Sequence, residues 1–294
     1  MALHVFDRGV DYADFDPKPI GGPAARGAKF IIRYSAGAGS KLAKTQWKLC
    51  GKDELRRLLD AGYDVIANSE WYESRVTEGR EAGAADGAAD LAFWRKRGLA
   101  RGASIYVSWD EGQPNRHEHD RLAAYLTAYQ KALDGRYHVD LYAGDVAIAA
   151  MRSRGLIRYG WRAMSDAWSD NGHFYKPGAD WRDYAEKVRQ VSKAHIWQNG
   201  NRWFKGQADE NVILRLPVGS HREAAGEAPA VTGTTPEKPP AGPRVHTVVS
   251  GDTMSGIARA WHVSLADLKR ANPHAGHPPG NFDLIRPGDK IVHP

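Results

Sequence analysis

The chain has 294 residues and a single cysteine, Cys50, so no internal disulfide and no cysteine-cluster metal site is available to it. Cys50 sits in Trp47-Lys48-Leu49-Cys50-Gly51, which reads as a helix end or turn rather than a catalytic elbow. No apolar run approaches the roughly 20 residues of a membrane span, and Met1-Ala2-Leu3-His4 lacks the basic and apolar regions of a signal peptide. Synthesis and storage in a cytosol, without membrane insertion, are therefore expected. Gly9-Val10-Asp11 is not a glycine-rich phosphate loop, and no His-Glu-x-x-His spacing or Gly-x-Ser-x-Gly elbow occurs. Metal, cofactor and acyl-transfer chemistry thus have no support in the sequence.

Runs of one charge are missing too. The 41 Lys and Arg exceed the 35 Asp and Glu by enough for a formal charge of +6, which implies attraction to a polyanion. Because the basic residues are scattered among acids, an acidic wall glycopolymer fits better than nucleic acid.

What is present is an alternation. Val5–Asp11, Lys29–Ser35, Tyr63–Ser69, Ala103–Ser108, Tyr137–Gly144, Tyr159–Met164, His195–Gln198 and Glu210–Leu214 read as eight strands. Helical spacing of apolar residues falls between most of them, as in Leu55, Leu58 and Leu59, and again in Leu122, Tyr125, Leu126, Tyr129 and Leu133. Alanine-rich Gly83–Arg97 favours helix despite its glycines. Eight strands over some 215 residues predict a (β/α)8 barrel, whose catalytic side chains gather at the C-terminal ends of the strands.

Several strands end in acids: Asp11, Glu70, the adjacent Asp110 and Glu111, and Asp209. Cleaving a glycosidic bond needs one carboxylic acid kept protonated and a second group that stabilises, attacks or helps an N-acetyl group to attack the oxocarbenium-like centre. Asp110 or Glu111 is expected as general acid, only one of the two because alternate strand residues face opposite ways. Asp11 and Asp209 are expected as stabilising carboxylates, with Glu70 as a further acid. Trp109 would raise a neighbouring acid's pKa by apolar burial and Arg33 would depress another's. Tyr34, Trp71, Trp168 and Trp197 offer rings for sugar faces, and Gln198 and Arg33 polar contacts.

After Pro217 the texture changes. Residues 220–244 hold five prolines among small polar residues and predict a semi-extended tether, leaving 1–219 as the barrel. Residues 245–294 read as strand, turn, two helices and a closing strand. His246-Thr247-Val248, Gly251-Asp252-Thr253, Ile257-Ala258, Val263, Leu268, Ala271-Asn272-Pro273 and Ile285-Arg286-Pro287-Gly288-Asp289-Lys290-Ile291 occur in the order and spacing of a LysM domain, which this segment resembles. The resemblance implies a small α+β (βααβ) module that binds N-acetylglucosamine-containing glycans such as peptidoglycan. By position, Gly251, Asp252, Thr253 and Met254 would act from the first loop and Asp283, Leu284 and Ile285 from the second.

The first 210 residues also carry a resemblance. Gly9-Val10-Asp11-Tyr12, Phe30-Ile31-Ile32-Arg33-Tyr34, Ile105-Tyr106-Val107-Ser108-Trp109-Asp110, Leu141-Tyr142-Ala143-Gly144, Ala167-Trp168, Trp197-Gln198 and Asp209 are similar to a glycoside-hydrolase-like barrel domain of actinobacterial wall proteins and phage lysins, related to the family 25 muramidases. Where those muramidases carry Asp-x-Glu, this chain has Ser108-Trp109-Asp110-Glu111. Together the two resemblances imply a monomeric, muramidase-like peptidoglycan hydrolase of the phage endolysin kind. It would be held in the host cytoplasm until a separate holin-type partner releases it to the wall. The alternative is an inactive or otherwise directed wall-glycan binder.

Overall fold

The computed structural model describes residues 2–12, 27–38, 48–70, 75–109, 116–163, 180–203, 208–226, 245–248, 253–260, 265–275, 285–286 and 288–293. The chain divides into two compact units, residues 1–230 and 231–294.

The first unit is a closed barrel of eight strands in sequential order: β1 (Arg8–Tyr12), β2 (Phe30–Ser35), β3 (Asp64–Ser69), β4 (Ser104–Ser108), β5 (His138–Ala143), β6 (Gly160–Arg162), β7 (Ile196–Trp203) and β8 (Ala208–Ile213). The described helices are α1 (Glu54–Asp60), α2 (Arg80–Arg97), α3 (Arg116–Ala132), α4 (Asp145–Ser153), α5 (Trp181–Val191) and the short α6 (His221–Ala225). Strands β1 to β7 are parallel, but β8 runs antiparallel to both its neighbours, β7 and β1. The barrel expected from the sequence is present with that one reversal. Only residues 204–207 separate β7 from β8, too few for the crossover a parallel strand needs, so the chain turns back on itself. As a result the start of β8, not its end, reaches the rim where β1 to β7 finish, and Asp209 lies in register with Asp11.

Strand alternation sorts the side chains into two cores. Phe30, Ile32, Ile66, Tyr106, Tyr142, Trp161, Ile196 and Ile213 fill the barrel interior. Val10, Ile31, Val65, Ile105, Val107, Val139 and Leu141 face the helical layer, together with Leu122, Tyr125, Leu126 and Tyr129 of α3. Gly9 has no alternative within β1, because a Cβ there would lie 2.5 Å from the Phe30 ring. The other end of the barrel is closed by hydrogen bonds from Ser220 Oγ (2.6 Å) and Arg222 N (3.0 Å) to Asp64. There, too, Ser104 Oγ and the Arg158 and Tyr159 amides meet Asp140.

The expected start of the tether at 220 is corrected by this closure. Ser220 and Glu223 form a reciprocal capping box on α6, and the Glu223 carboxylate takes the Val218, Gly219 and Ser220 amides, so this segment belongs to the barrel. Residues 227–244 lie outside the described residues.

The second unit pairs β9 (Val245–Thr247) antiparallel with β10 (Lys290–Val292) around α7 (Met254–Ala260) and α8 (Leu265–Ala271), the expected βααβ order. Its own core is Val248, Met254, Ile257, Ala258, Leu268 and Ile291. Asn272 closes it, donating to Leu268 O (2.8 Å) and Val292 O (2.7 Å) and accepting from Val292 N (2.7 Å).

Candidate active site

The rim of the barrel collects polar side chains from strands far apart in sequence. Asp11, the fourth residue of β1, points into the barrel and is 4% exposed. Three groups donate to it: Tyr34 Oη to Oδ1, and Gln198 Nε2 (3.0 Å) and Asn211 Nδ2 (2.7 Å) to Oδ2. Both amides are fixed in turn. Tyr142 Oη donates to Gln198 Oε1 at 2.8 Å and Trp161 Nε1 donates to Asn211 Oδ1 at 2.8 Å, which leaves each NH2 group turned toward Asp11. The Tyr142 and Trp161 rings pack together at 4.4 Å. The carboxylate is therefore held at both oxygens by a preassembled frame of five side chains.

Glu70 follows β3 beside this frame. Its backbone amide donates to Ser35 O at 3.1 Å, and its carboxylate pairs with Lys48. Lys48 is brought there because residues 48–50 continue alongside β2, with Leu49 bridging Tyr34 and Cys50 N bonding Tyr34 O at 2.8 Å. Its ammonium lies 4.7 Å from the centre of the Tyr34 ring. Burial pushes the Glu70 carboxyl above its ordinary range; the Lys48 charge works against that and the negative charge of Asp11 reinforces it. Burial also raises the Tyr34 hydroxyl, helped by the Asp11 and Glu70 charges, so Tyr34 stays a donor. Deeper in the same wall, Asn68 and Ser108 bond each other, Nδ2 to Oγ at 2.9 Å. Asp209, half-buried, completes the rim opposite Asp11.

Of the residues expected from the sequence, the barrel brings Asp11, Tyr34, Glu70, Gln198 and Asp209 together. Tyr34, however, has a buried ring and meets Asp11 through its hydroxyl, so it holds the carboxylate rather than offering a face to a sugar. Asp110, Glu111, Trp71 and Trp168 lie outside the described residues.

Two expectations are corrected by strand parity. Arg33 is fully buried on the outer face of β2, where it pairs with Glu54 (2.6 Å) and donates to Tyr12 O (2.5 Å), so substrate does not reach it. It does depress an acid, but that acid is Glu54: burial works to raise this carboxyl, and the charge and hydrogen bonds of Arg33 bring it below its usual value. Trp197 is likewise fully buried on the outer face, packed with Ala185 and Val188 of α5. Trp109 is buried in the outer core, edge-on to His119, and the acids it was expected to influence lie outside the described residues.

In the LysM unit Met254 is a core residue, 3% exposed, which corrects its expected place in the glycan contact. Thr253 is exposed and Ile285 half-buried against the core. Gly251, Asp252, Asp283 and Leu284 lie outside the described residues. Sequence reading missed Asn68, Ser108 and Asn211 as site residues, although each has the inward parity of its strand; it also missed Lys48, which only the tertiary fold brings to Tyr34. Cys50 is fully buried and burial pushes its thiol up to about 12, consistent with an inert side chain. Among the described residues there is no cluster of three or more His, Cys, Asp or Glu able to hold a metal ion, and no helix long and apolar enough to cross a membrane.

With this geometry in place, comparison with known proteins is informative. Residues 24–214 match the family model described as "Rv2525c-like, glycoside hydrolase-like domain". The chain belongs to that family. Residues 246–294 match the LysM domain, which implies binding to peptidoglycan and other N-acetylglucosamine-containing glycans. No curated protein matches the sequence.

Two crystal structures of the Mycobacterium tuberculosis Tat-secreted protein Rv2525c, with HEPES and with L-tartrate, share the fold of the glycoside hydrolase-like domain. They are 23% and 22% identical with TM-scores of 0.56 and 0.57, covering 73% of this chain and 98% of theirs. A family GH25 lysozyme from Aspergillus fumigatus is 12% identical with a TM-score of 0.42 over 72% of this chain and 94% of its own. The expected residence in a host cytoplasm is corrected by the first comparison, because the solved Rv2525c barrel is that of a secreted protein. With cytosolic storage goes the reason for expecting an endolysin and a holin-type partner.

Proposed function

We propose that the protein is an exported, wall-directed glycoside hydrolase that cuts the glycan strand of peptidoglycan in the muramidase manner, with its LysM module holding it on the polymer. The observation that carries this reading is the rim of the barrel, where Asp11 accepts three hydrogen bonds from Tyr34, Gln198 and Asn211 with Glu70 and Asp209 beside it. Glycosidic cleavage asks for two acids in unlike environments, and Asp11 and Glu70 are unlike. Asp11 accepts from three donors and suits the role of meeting the positive charge that develops at the anomeric carbon. Glu70 is shifted toward the protonated form and suits the role of supplying a proton to the leaving oxygen. Asp110 or Glu111 is the other acid proposed for proton donation. Asp209 is proposed to assist Asp11, and Trp71, Trp168, Thr253 and Ile285 to contact glycan.

Clearing of purified cell walls tests the proposal. The full chain is expected to lower the turbidity of a wall suspension, Asp11→Asn to lose that activity by at least 100-fold, and Glu70→Gln and Asp110→Asn to divide the proton-donor role between them. All variants should still sediment with walls. If the wild type sediments with walls and clears none, the barrel is a wall-glycan binder instead.

A further inference from the structure

Away from the rim, the outer layer of the barrel has a second concave surface. Two cavities of about 430 and 460 Å3, one beside the segment that precedes α1 and one along α1 itself, share one lining residue, Arg97, at the end of α2. Lys52, Leu49 and Phe93 line the first; Arg56, Leu59, Asp60 and Arg222 line the second.

Arg97 is the group the two cavities share. It is half-buried, donates from Nε to Cys50 O (2.6 Å) and from Nη1 to Phe93 O (3.1 Å), and covers the Phe93 ring at 3.3 Å. Arg8, Arg33, Arg75 and Arg162 of this barrel meet the acids Glu210, Glu54, Asp86 and Asp145, whereas Arg97, like Arg215, meets backbone carbonyls. Among the described residues no carboxylate lies within ion-pair distance of Arg97. Burial lowers its pKa against the opposing influence of Cys50 and Glu54, the mark of a cation that has lost water without gaining a counter-charge. Glu54, the nearest influence of opposite sign, already has its carboxylate on Arg33, Tyr12 and the Gly51 amide. Exposed Lys52 and Arg56 and half-buried Arg222 line the cavities with Arg97, against one exposed acid, Asp60.

We propose that this groove binds the anionic groups of a cell-wall glycopolymer, with Arg97 at its centre. The seven residues of α1 span about 10 Å, so cations at both ends suit successive charges on a polymer better than one small ion. Nucleic acid is disfavoured because Arg97 already covers one face of Phe93, the phenyl ring that lines the groove, and leaves little platform for stacked bases. A membrane surface is disfavoured because the exposed large hydrophobic residues among the described ones, Val5, Val191 and Val245, are not among those lining the groove. The site gives part of the chain's positive charge a role that the rim chemistry does not, and it stands whether or not the rim cleaves a bond.

The test uses the full chain and soluble poly(glycerol phosphate) as the anionic probe, with an N-acetylglucosamine oligomer present at saturation to occupy the LysM module. Binding is expected to weaken steeply with added salt. Arg97→Gln should weaken it at least tenfold, and so should the exposed pair Lys52→Glu and Arg56→Glu, which guards against a folding defect at Arg97. Affinity for the N-acetylglucosamine oligomer should be unchanged in each. Equal affinity for the probe in parent and variants would overturn the proposal. So would duplex DNA or phosphatidylglycerol vesicles binding as tightly and losing as much in the same variants.

Discussion

At the scale of single residues, the site depends on hydrogen bonds that each fix one orientation. Tyr34 is a positioning residue for Asp11, and its phenol raised by burial keeps the proton it donates. Tyr34→Phe is expected to lower kcat on walls by about tenfold with little change in KM, since one charge-assisted hydrogen bond is worth about 1.5–3 kcal/mol; an unchanged kcat would remove Tyr34 from the frame. Stability has its own titrating residues. Asp90, bonded by Ser69 and Tyr129, and Asp140, bonded by Ser104, are fully buried, and burial pushes each up to about 6. An acid with a raised folded pKa holds its proton better folded than unfolded, so it favours folding at low pH and loses that contribution as pH rises through about 6. Glu54, lowered by Arg33, does the opposite and loses its contribution as pH falls below the usual carboxylate range. Melting temperature is therefore expected to peak near pH 4 and to decline as pH rises from about 4 to about 6, with the decline shallower in Asp90→Asn. A melting curve flat from pH 4 to 6 would contradict the buried acids' role.

At the scale of elements, glycine in α2 is a packing requirement. Gly83 and Gly87 let α3 approach so closely that a Cβ at Gly83 would overlap the Tyr125 carbonyl oxygen and one at Gly87 would sit 2.7 Å from Tyr129 O. Gly83→Val is expected to cost on the order of 3 kcal/mol or more by overpacking, despite valine's avoiding the entropic penalty of glycine; a thermal melt unchanged from the parent would refute that. These two positions show why the fold was partly legible. Alanine-rich composition announced a helix through Gly83–Arg97, and nothing local explained why the helix tolerates two glycines. The two-residue alternation of β1 places Asp11 on the inside, but whether the charged Arg33 in β2 faces substrate or a hidden Glu54 depends on a helix 21 residues further on. Trp197 failed for the same reason, since its partners lie on α5, a helix that the reading of the sequence passed over despite its amphipathic pattern and the Asp180 cap. The reversal of β8 was readable only as a short gap between strands. The Ser220–Glu223 spacing of a capping box, by contrast, lay open in the sequence beneath a proline-rich texture.

At the scale of the whole molecule, two units with separate cores share one chain. On the proposed reading, the LysM module raises the concentration of the barrel near its polymer without touching the chemistry. Removing residues 231–294 is expected to reduce wall clearing by at least tenfold at low enzyme concentration. Turnover of a short soluble glycan should stay within twofold, and loss of both would contradict independent units. The central claim is that the rim around Asp11 breaks a sugar–sugar bond. The most direct measurement is mass spectrometry of the soluble fragments released from purified walls, with the new reducing ends labelled. The account predicts fragments ending in an N-acetylated sugar in the wild-type digest and none in the Asp11→Asn digest. Fragments ending in a peptide bond, no new reducing ends, or equal release by both proteins would contradict it.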